Sequence, residues 1–593
     1  MMGKRSKRKP QRQRPLAFRN FSCKGRLGTG ESPVDPIEMQ KKLSQWAIEN
    51  PTETRRDLYN LLCLEIWLRV AHHSVNTNQG RETAGIDGES MSNFNGDLDG
   101  NLEELRKQLE AKTFEPQPVR RVYIPKPHGK KRPLGIPGIR DRIVQEALRM
   151  ILEPIWEADF SQHSYGFRPN RSTYDAISYL SNRLSGYNAE SYQWIIESDI
   201  SSYFETIPHR RLIKAIKKRV ADRNIRDLLW KFLRAGVMYR GNFSETLTGP
   251  PQGGIISPLL ANIYLHELDK YMESKYLKLS DYQRIKRRQQ GKGNYLYVRY
   301  ADDFVVLCNG TRAEAQKFKE ELGELLSNMG LTLSEEKTKI THITEGFTFL
   351  GYRIIREIGT TGKMVIKVEI PDKAIKKFKD MVRRILAPNT SNESVNAKIS
   401  ALNNFTRGWC QYYCCTSSPS MAFNKLTPEL YWGMAHWLGR KYKTSMPNIM
   451  QRFKKDNSLG TKTRKLTMPV EYKAKKRLGK TWHNPYTEKE EVGKEKERIK
   501  RESLFSYDKV WTGYNDRLTG MDNREEVLLR DGPTCAICKK IFHPSELEID
   551  HIIARKRFKN LVDADRLENL QVLCTTCHRA KTKSDLKVES RMP

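Results

Sequence analysis

Tyr297-Val298-Arg299-Tyr300-Ala301-Asp302-Asp303-Phe304-Val305-Val306-Leu307 decides how this 593-residue chain is read. Apolar, β-favouring residues flank a tetrapeptide whose last two members are adjacent carboxylates. The pattern predicts two strands joined by a tight turn, with the acidic pair at the turn. Adjacent carboxylates repel, and an ordinary hairpin gains nothing from them; a hard dication relieves the repulsion. Phosphoryl transfer by two Mg2+ ions needs such a cluster, because the metals bind the attacking oxygen, the leaving oxygen and the phosphates together. A solvated acidic turn is the bland alternative for any lone Asp-Asp pair.

A third carboxylate changes the balance. Gln193-Trp194-Ile195-Ile196-Glu197-Ser198-Asp199-Ile200-Ser201-Ser202-Tyr203-Phe204 reads as a buried strand ending at Asp199. Between the two stretches lies Pro250-Pro251-Gln252-Gly253-Gly254-Ile255-Ile256-Ser257-Pro258-Leu259-Leu260-Ala261-Asn262. There the Gly pair permits close backbone approach to a ligand, and Pro258 suits a first helical position. In this order the three stretches resemble the palm of reverse transcriptases. The resemblance implies that Asp199, Asp302 and Asp303 are catalytic Mg2+ ligands and that Gln252 lies in a segment gripping template. It also implies that Phe204 lies under the sugar and excludes a 2′-OH, although as packed core it would look the same.

The formal charge of +35 calls for a polyanionic partner, without choosing between RNA and DNA. No apolar run approaches the ~18 residues needed to span a bilayer, and a secretory apolar core is not expected. The first thirty residues carry ten Lys or Arg and no acid, which reads as a disordered basic arm or, alternatively, an organelle-targeting sequence. Of the ten cysteines, Cys23, Cys63, Cys308, Cys410, Cys414 and Cys415 show no ligand spacing and are expected as packing or free thiols.

Pro36 to about Val75 reads as helical, and a second helix is expected around Leu102 to Leu109. Val119 to Pro137 reads as a β-hairpin with a basic, Gly-containing turn, and in a polymerase it would form the fingers. By resemblance to the family's first block, Lys126 and Arg132 would meet the incoming triphosphate. A helix is expected from Asp141 to about Trp156, followed by Ser164–Thr173, which resembles the family's template-tracking second block. Leu331–Thr338 and Gly346–Tyr352 resemble its sixth and seventh blocks. After Pro371, Ile375, Phe378, Val382 and Ile385 fall at helical intervals. Two further helices, roughly Ser394 to Cys415 and Met421 to Lys441, complete a basic unit resembling the thumb, or domain X, of group II intron maturases. From Lys441 to Lys480 there are thirteen Lys or Arg and two acids. That stretch is either a solvated linker or, by resemblance, a DNA-binding region.

Cys535-Ala536-Ile537-Cys538 and Cys574-Thr575-Thr576-Cys577 form two Cys-x-x-Cys knuckles, the pattern of a closed structural zinc site in a reducing compartment. Between them and just after lie Asp550-His551, Asn569 and His578, the order of HNH nucleases with a ββα-metal fold. Carried over, His551 is the general base, Asp550 and His578 hold a divalent ion at the scissile phosphate, and Asn569 orients the loop or joins the ligands. His578 could alternatively support the zinc from behind Cys577.

The expected fold is multidomain α+β. It comprises a basic arm (1–35), an N-terminal helical extension (36–110) and fingers and palm (111–365). The thumb (366–441), a basic DNA-binding region with connector (442–520) and a zinc-stapled HNH domain (521–593) follow. The chain is similar to group II intron-encoded proteins. That implies partnership with intron RNA, target DNA and deoxynucleoside triphosphates, and no membrane. It further implies a bacterial cytoplasmic location, nucleoid-associated during homing, with an organelle as the alternative.

Overall fold

The computed structural model describes residues 35–125, 131–185, 192–239, 241–250, 253–359, 362–474, 482, 484–487, 527, 531, 534–540, 547–553, 569–578 and 580–581. The basic arm, Cys23, Lys126 and Gln252 therefore lie outside the described residues, as does most of the connector.

The N-terminal stretch is not one helix. Pro36–Glu49 is capped by Asp35 and stops at Asn50, and the chain resumes helix in the short turn Tyr59–Leu62 and then in Glu65–Asn76. Pro51 explains the break: it disfavours helical backbone at Asn50 and cannot itself donate to a preceding turn. The two longer helices pack on Ile139–Glu157, which is buried along nearly its whole length.

Two four-stranded sheets follow. Strands β1 (Val119–Pro125) and β2 (Lys131–Ile136) form the expected hairpin. Strand β3 (Trp194–Ser198) belongs to the second sheet, while β4 (Val237–Tyr239) and β5 (Asn242–Ser244) extend the first to the order β2-β1-β4-β5. Strands β6 (Tyr295–Tyr300), β7 (Asp303–Cys308) and β8 (Lys339–His342) complete the second sheet as β6-β7-β3-β8, all neighbours antiparallel. The three strands β6, β7 and β3 are largely apolar because both faces are covered. Ile196, Tyr297, Phe304 and Val306 join the core formed by the N-terminal helices and the helix Ser257–Met272. Alternate residues Ile195, Val298, Val305 and Leu307 pack on the other side with the helix Thr173–Ser185.

Strands β9 (Phe347–Phe349), β10 (Tyr352–Ile358) and β11 (Met364–Glu369) make a third sheet and close that second layer. Three helices follow at Asp372–Ile385, Val395–Tyr413 and Pro419–Tyr442, close to the expected spans. Most aromatics of the middle helix face the core: Trp409 packs at a tilt among Phe378, Tyr413 and Phe423, while Tyr412 is exposed. The solvated-linker reading of the next stretch fails for its first part. The helix Met446–Phe453 and the short pair β12 (Lys454–Lys455) and β13 (Ser458–Leu459) bury Ile449, Phe453, Leu459, Leu466 and Met468 on the three-helix core. In the terminal domain β14 (Leu547–His551) pairs antiparallel with β15 (Leu570–Cys574), and helical residues 575–578 follow. No helix among the described residues is long and apolar enough to cross a membrane.

One buried acid carries a pH prediction. Asp141 accepts a hydrogen bond from the Gln117 N–H (3.2 Å), and burial raises its pKa to about 7. The folded state holds this proton more tightly than the unfolded chain, so stability should fall as pH rises from about 4 to about 7. Asp141→Asn is expected to flatten that slope, raising the melting temperature at about pH 8 and barely changing it at about pH 4. Parallel melting curves across that range would refute it.

Candidate functional site

Tyr300 and Asp303 are the last paired residues of the β6–β7 hairpin, so Ala301 and Asp302 form the turn itself. Ala301 has φ +58°, a left-handed conformation disfavoured for a residue with a Cβ. Two contacts hold it there. Arg299, fully buried, donates to the Ala301 carbonyl (3.0 Å), to Asn262 Oδ1 (2.9 Å) and through its fork to Asp269. On the outer side Gly166 lies so close that a Cβ would come within 2.4 Å of the Ala301 nitrogen. Asn262 Nδ2 donates to the Gly166 carbonyl (2.8 Å), tying loop, helix and turn together.

Asp199 leaves the end of β3 beside this turn. Segment Thr332–Ser334 pins its backbone, with Ser334 N–H donating to the Asp199 carbonyl (2.8 Å) and Ser201 N–H to Thr332 (2.9 Å). The three carboxylates feel one another. Burial and then the Asp199 charge raise Asp302; Asp303, exposed at the start of β7, is raised to about 6 by partial desolvation and then by Asp302 and Asp199. Lys337 Nζ donates to Asp199 Oδ2 (2.8 Å), which raises the lysine in turn. Arg132, on β2, adds positive charge toward Asp302.

Phe204 is half-buried beside Tyr203, and its ring meets Phe167 edge-on at 6.4 Å. Phe167 is 53% exposed and, like Ala301, left-handed (φ +56°). A Cβ on Gly249 would come within 2.1 Å of the Phe204 carbonyl, and one on Gly253 within 2.1 Å of the Gly135 carbonyl. The Gly-rich segment thus packs against both Phe204 and β2, using the backbone freedom expected of it.

The second cluster is in the terminal domain. Sγ atoms of Cys535, Cys538, Cys574 and Cys577 lie within 4.8 Å of one another, and could hold a metal ion. No other group of three or more His, Cys, Asp or Glu among the described residues converges so tightly. Burial opposes ionisation of Cys535, yet knuckle backbone N–H groups carry its pKa down to about 6. Cys577 is pushed up to about 12, by desolvation and by the neighbouring sulfurs. Next to Cys577, His578 bonds Glu548 through Nδ1 and faces Asp550 through Nε2 (3.5 Å). It turns toward the carboxylates, which disfavours a role behind the cysteines. The side chain of Asn569 accepts from the Ile553 N–H (2.9 Å) and donates to the Ile553 carbonyl (3.1 Å), fixing the loop after His551. Lys581 Nζ donates to the His551 carbonyl (2.8 Å) and pairs with Asp550 (2.9 Å).

Sequence reasoning gave no role to Lys337, Arg299, Phe167 or Glu548. Lys337 lay within the stretch resembling the sixth block, with nothing local to tie it to Asp199, and Arg299 was visible only as a charge in a strand. A non-glycine left-handed residue such as Phe167 leaves no mark in the sequence.

A sheet buried on both faces, an acidic turn at its edge, a helical unit and a four-cysteine nuclease-like hairpin define a multidomain nucleic-acid enzyme. Family models agree along the chain. Residues 124–354 match reverse transcriptase (RNA-dependent DNA polymerase), 375–455 the group II intron maturase-specific domain, and 535–584 HNH endonuclease. Protein YkfC of Escherichia coli strain K12 is 41% identical over 357 residues, covering 58% of this chain and 94% of that protein. Group II intron-encoded protein LtrA of Lactococcus lactis subsp. cremoris is 32% identical over 487 residues, covering 70% of this chain and 79% of that protein. Putative COX1/OXI3 intron 2 protein of Saccharomyces cerevisiae is 32% identical over 346 residues, 51% of this chain and 40% of that protein. The chain belongs to the group II intron-encoded proteins, and combines reverse transcriptase, maturase and HNH endonuclease in one polypeptide.

Proposed function

We propose that this protein binds its own intron RNA, assists its splicing, and then nicks target DNA and copies the intron from the exposed 3′ end. The observation that carries the polymerase half is the meeting of Asp199 with the Asp302–Asp303 turn at one edge of the palm sheet. The donor set is all carboxylate, and its mutual repulsion fits hard divalent cations. Two Mg2+ ions, when bound, would supply the charge neutralisation that nucleotidyl transfer needs at the attacking and leaving oxygens. Asp199, Asp302 and Asp303 would hold them. Lys337 would release Asp199 as they bind, leaving its ammonium near the triphosphate. Arg132 and Lys126 would meet the triphosphate, and Gln252 the template.

In the nuclease, His551 would take the proton from the attacking water, and Asn569 keeps its loop in place. Asp550 and His578 are suited to a divalent ion at the scissile phosphate, with Glu548 orienting His578. Four thiolates in two knuckles suit a structural zinc, which would supply folding energy and no chemistry. In this reading residues 36–110 are the helical extension and 111–365 the fingers and palm. Residues 366–441 are the thumb that grips intron RNA, and the basic stretch after it neutralises DNA phosphates. The protein would act in the bacterial cytoplasm and at the nucleoid.

The test is a labelled target duplex incubated with the protein–intron RNA complex and deoxynucleotides. Complementary DNA covalently continuous with the nicked strand is expected; nicking with separate, unlinked cDNA would overturn target priming. A second test concerns the sugar. Phe204→Ala should raise ribonucleotide relative to deoxynucleotide incorporation about tenfold or more, the scale of relieving one steric clash. An unchanged ratio would make Phe204 merely packing.

A further inference from the structure

Between the basic stretch and the nuclease, the chain returns to the polymerase body. Trp482 lies against two guanidiniums, 4.1 Å from Arg171 and 5.0 Å from Arg168, and its Nε1 donates to the Pro169 carbonyl (3.3 Å). Asn484 Nδ2 donates to Ser44 Oγ (3.1 Å), and the Tyr486 hydroxyl donates to Glu153 Oε2 (2.6 Å). The segment also braces itself: Asn484 Oδ1 accepts from Tyr486 N–H (3.0 Å), and Thr487 Oγ1 donates to the Asn484 carbonyl (2.9 Å). These partners are 313, 440 and 333 residues away in sequence, so no local preference produces the contacts.

The seat is rigid and built from three elements. Ser44 is on the helix Pro36–Glu49 and Glu153 on Ile139–Glu157, where Arg149 also binds it (2.5 Å). Arg168 is buried, forked onto Glu157 (2.9 Å) and set over Phe160. A tryptophan seated on guanidiniums already held by carboxylates and carbonyls gains attraction without having to order them. The same loop touches the catalytic turn on its other side, through Gly166 against Ala301 and the Tyr165 N–H donating to Arg299 (2.9 Å).

From this placement we infer that Trp482 and Asn484–Thr487 form a mount that fixes the nuclease-bearing end of the chain to the polymerase body. The mount sits one loop behind the turn that carries Asp302 and Asp303. The partner surface is the face made by Ser44, Glu153, Arg168 and Arg171, and its occupant is this chain's own connector. A DNA end released by the nuclease must reach the palm aspartates. Fixing the chain at Thr487 shortens the path from the body to Cys535, as it would otherwise begin at the three-helix unit. The function assigned to the mount is transfer of the nicked strand between the two activities, and it rests on the two-activity reading above.

The test uses the full-length Trp482→Ala/Tyr486→Phe variant in complex with intron RNA. Chymotryptic cleavage after position 486, followed by mass spectrometry, should rise about tenfold, since cleavage tracks the undocked population. Nicking of the duplex, and extension of a separately annealed primer, should each stay within about twofold of wild type, because none of the replaced groups touches either cluster. The fraction of nicked ends that are extended should fall about fivefold or more. Unchanged cleavage would show that these contacts do not hold the segment. Raised cleavage with an unchanged extended fraction would show that the mount has no part in strand transfer. If the wild-type complex fails to nick, the nuclease reading falls instead, and the cleavage measurement still judges the mount.

Discussion

Primer extension by the Asp302→Ala protein is expected to drop at least about a thousandfold, with intron RNA binding and splicing assistance nearly intact. Losing a ligand that neutralises charge in phosphoryl transfer removes several kcal/mol from the transition state, and each 1.4 kcal/mol is a factor of ten. The RNA surface, by contrast, is spread over basic faces of a chain with a formal charge of +35, so one carboxylate hardly alters it. The turn should survive the change. Ala301 is held by Arg299 and Gly166, neither of which touches the Asp302 carboxylate. Asp199→Ala should do the same to extension, and it also removes the carboxylate to which Lys337 donates. Extension within tenfold of wild type in either protein, measured on an RNA template with excess Mg2+, would remove the palm assignment.

The second large effect separates fold from chemistry in the terminal domain. Cys535→Ser is expected to abolish metal binding and unfold the domain, because in the proposed reading an ion held by the four thiolates would contribute folding energy. His551→Ala should retain the metal and the β14–β15 pairing, since its imidazole is not among the four sulfurs. It should nevertheless reduce strand cleavage by about two to four orders of magnitude, the usual worth of a general base. Extension from an added primer should be unaffected. Wild-type cleavage by a zinc-replete His551→Ala complex would show that the proton is taken elsewhere.

How much of this was legible beforehand differs between kinds of residue. The aspartates, the knuckle cysteines and the Asp550–His551–Asn569–His578 order could be singled out because the chemistry proposed for them demands particular residue types at short or ordered spacing. Helix spans after Pro371 were readable from apolar period alone. The break at Asn50 was available in principle, as Pro51 announces it, but the run of leucines beyond it suggested continuity. Arg299 could not be read: a charged residue in a strand is ordinarily a solvated one, and its burial depends on Asp269 and Asn262, on a helix formed earlier in the chain. Lys337 reaches Asp199 across 138 residues, and Trp482 reaches Pro169 across 313. Pairings of that range are set by the assembled layers, and no window of sequence contains both partners. The packing of 446–468 was not foreseen for a related reason, since lysines hide how few apolar residues are needed to cover one flank of a helical core.

Heat acts on the Arg299–Asp269 fork differently from the apolar layers around it. Stripping water from two charges is a large cost at room temperature, and that cost shrinks on warming, because hydration of ions becomes less favourable. Apolar burial gains no comparable advantage over the same range. The clamp on the Ala301 carbonyl therefore loosens later than its surroundings. The Ala301–Asp302 turn should keep its shape until the sheet itself melts, so on the proposed reading copying should cease abruptly on heating, without a long decline beforehand.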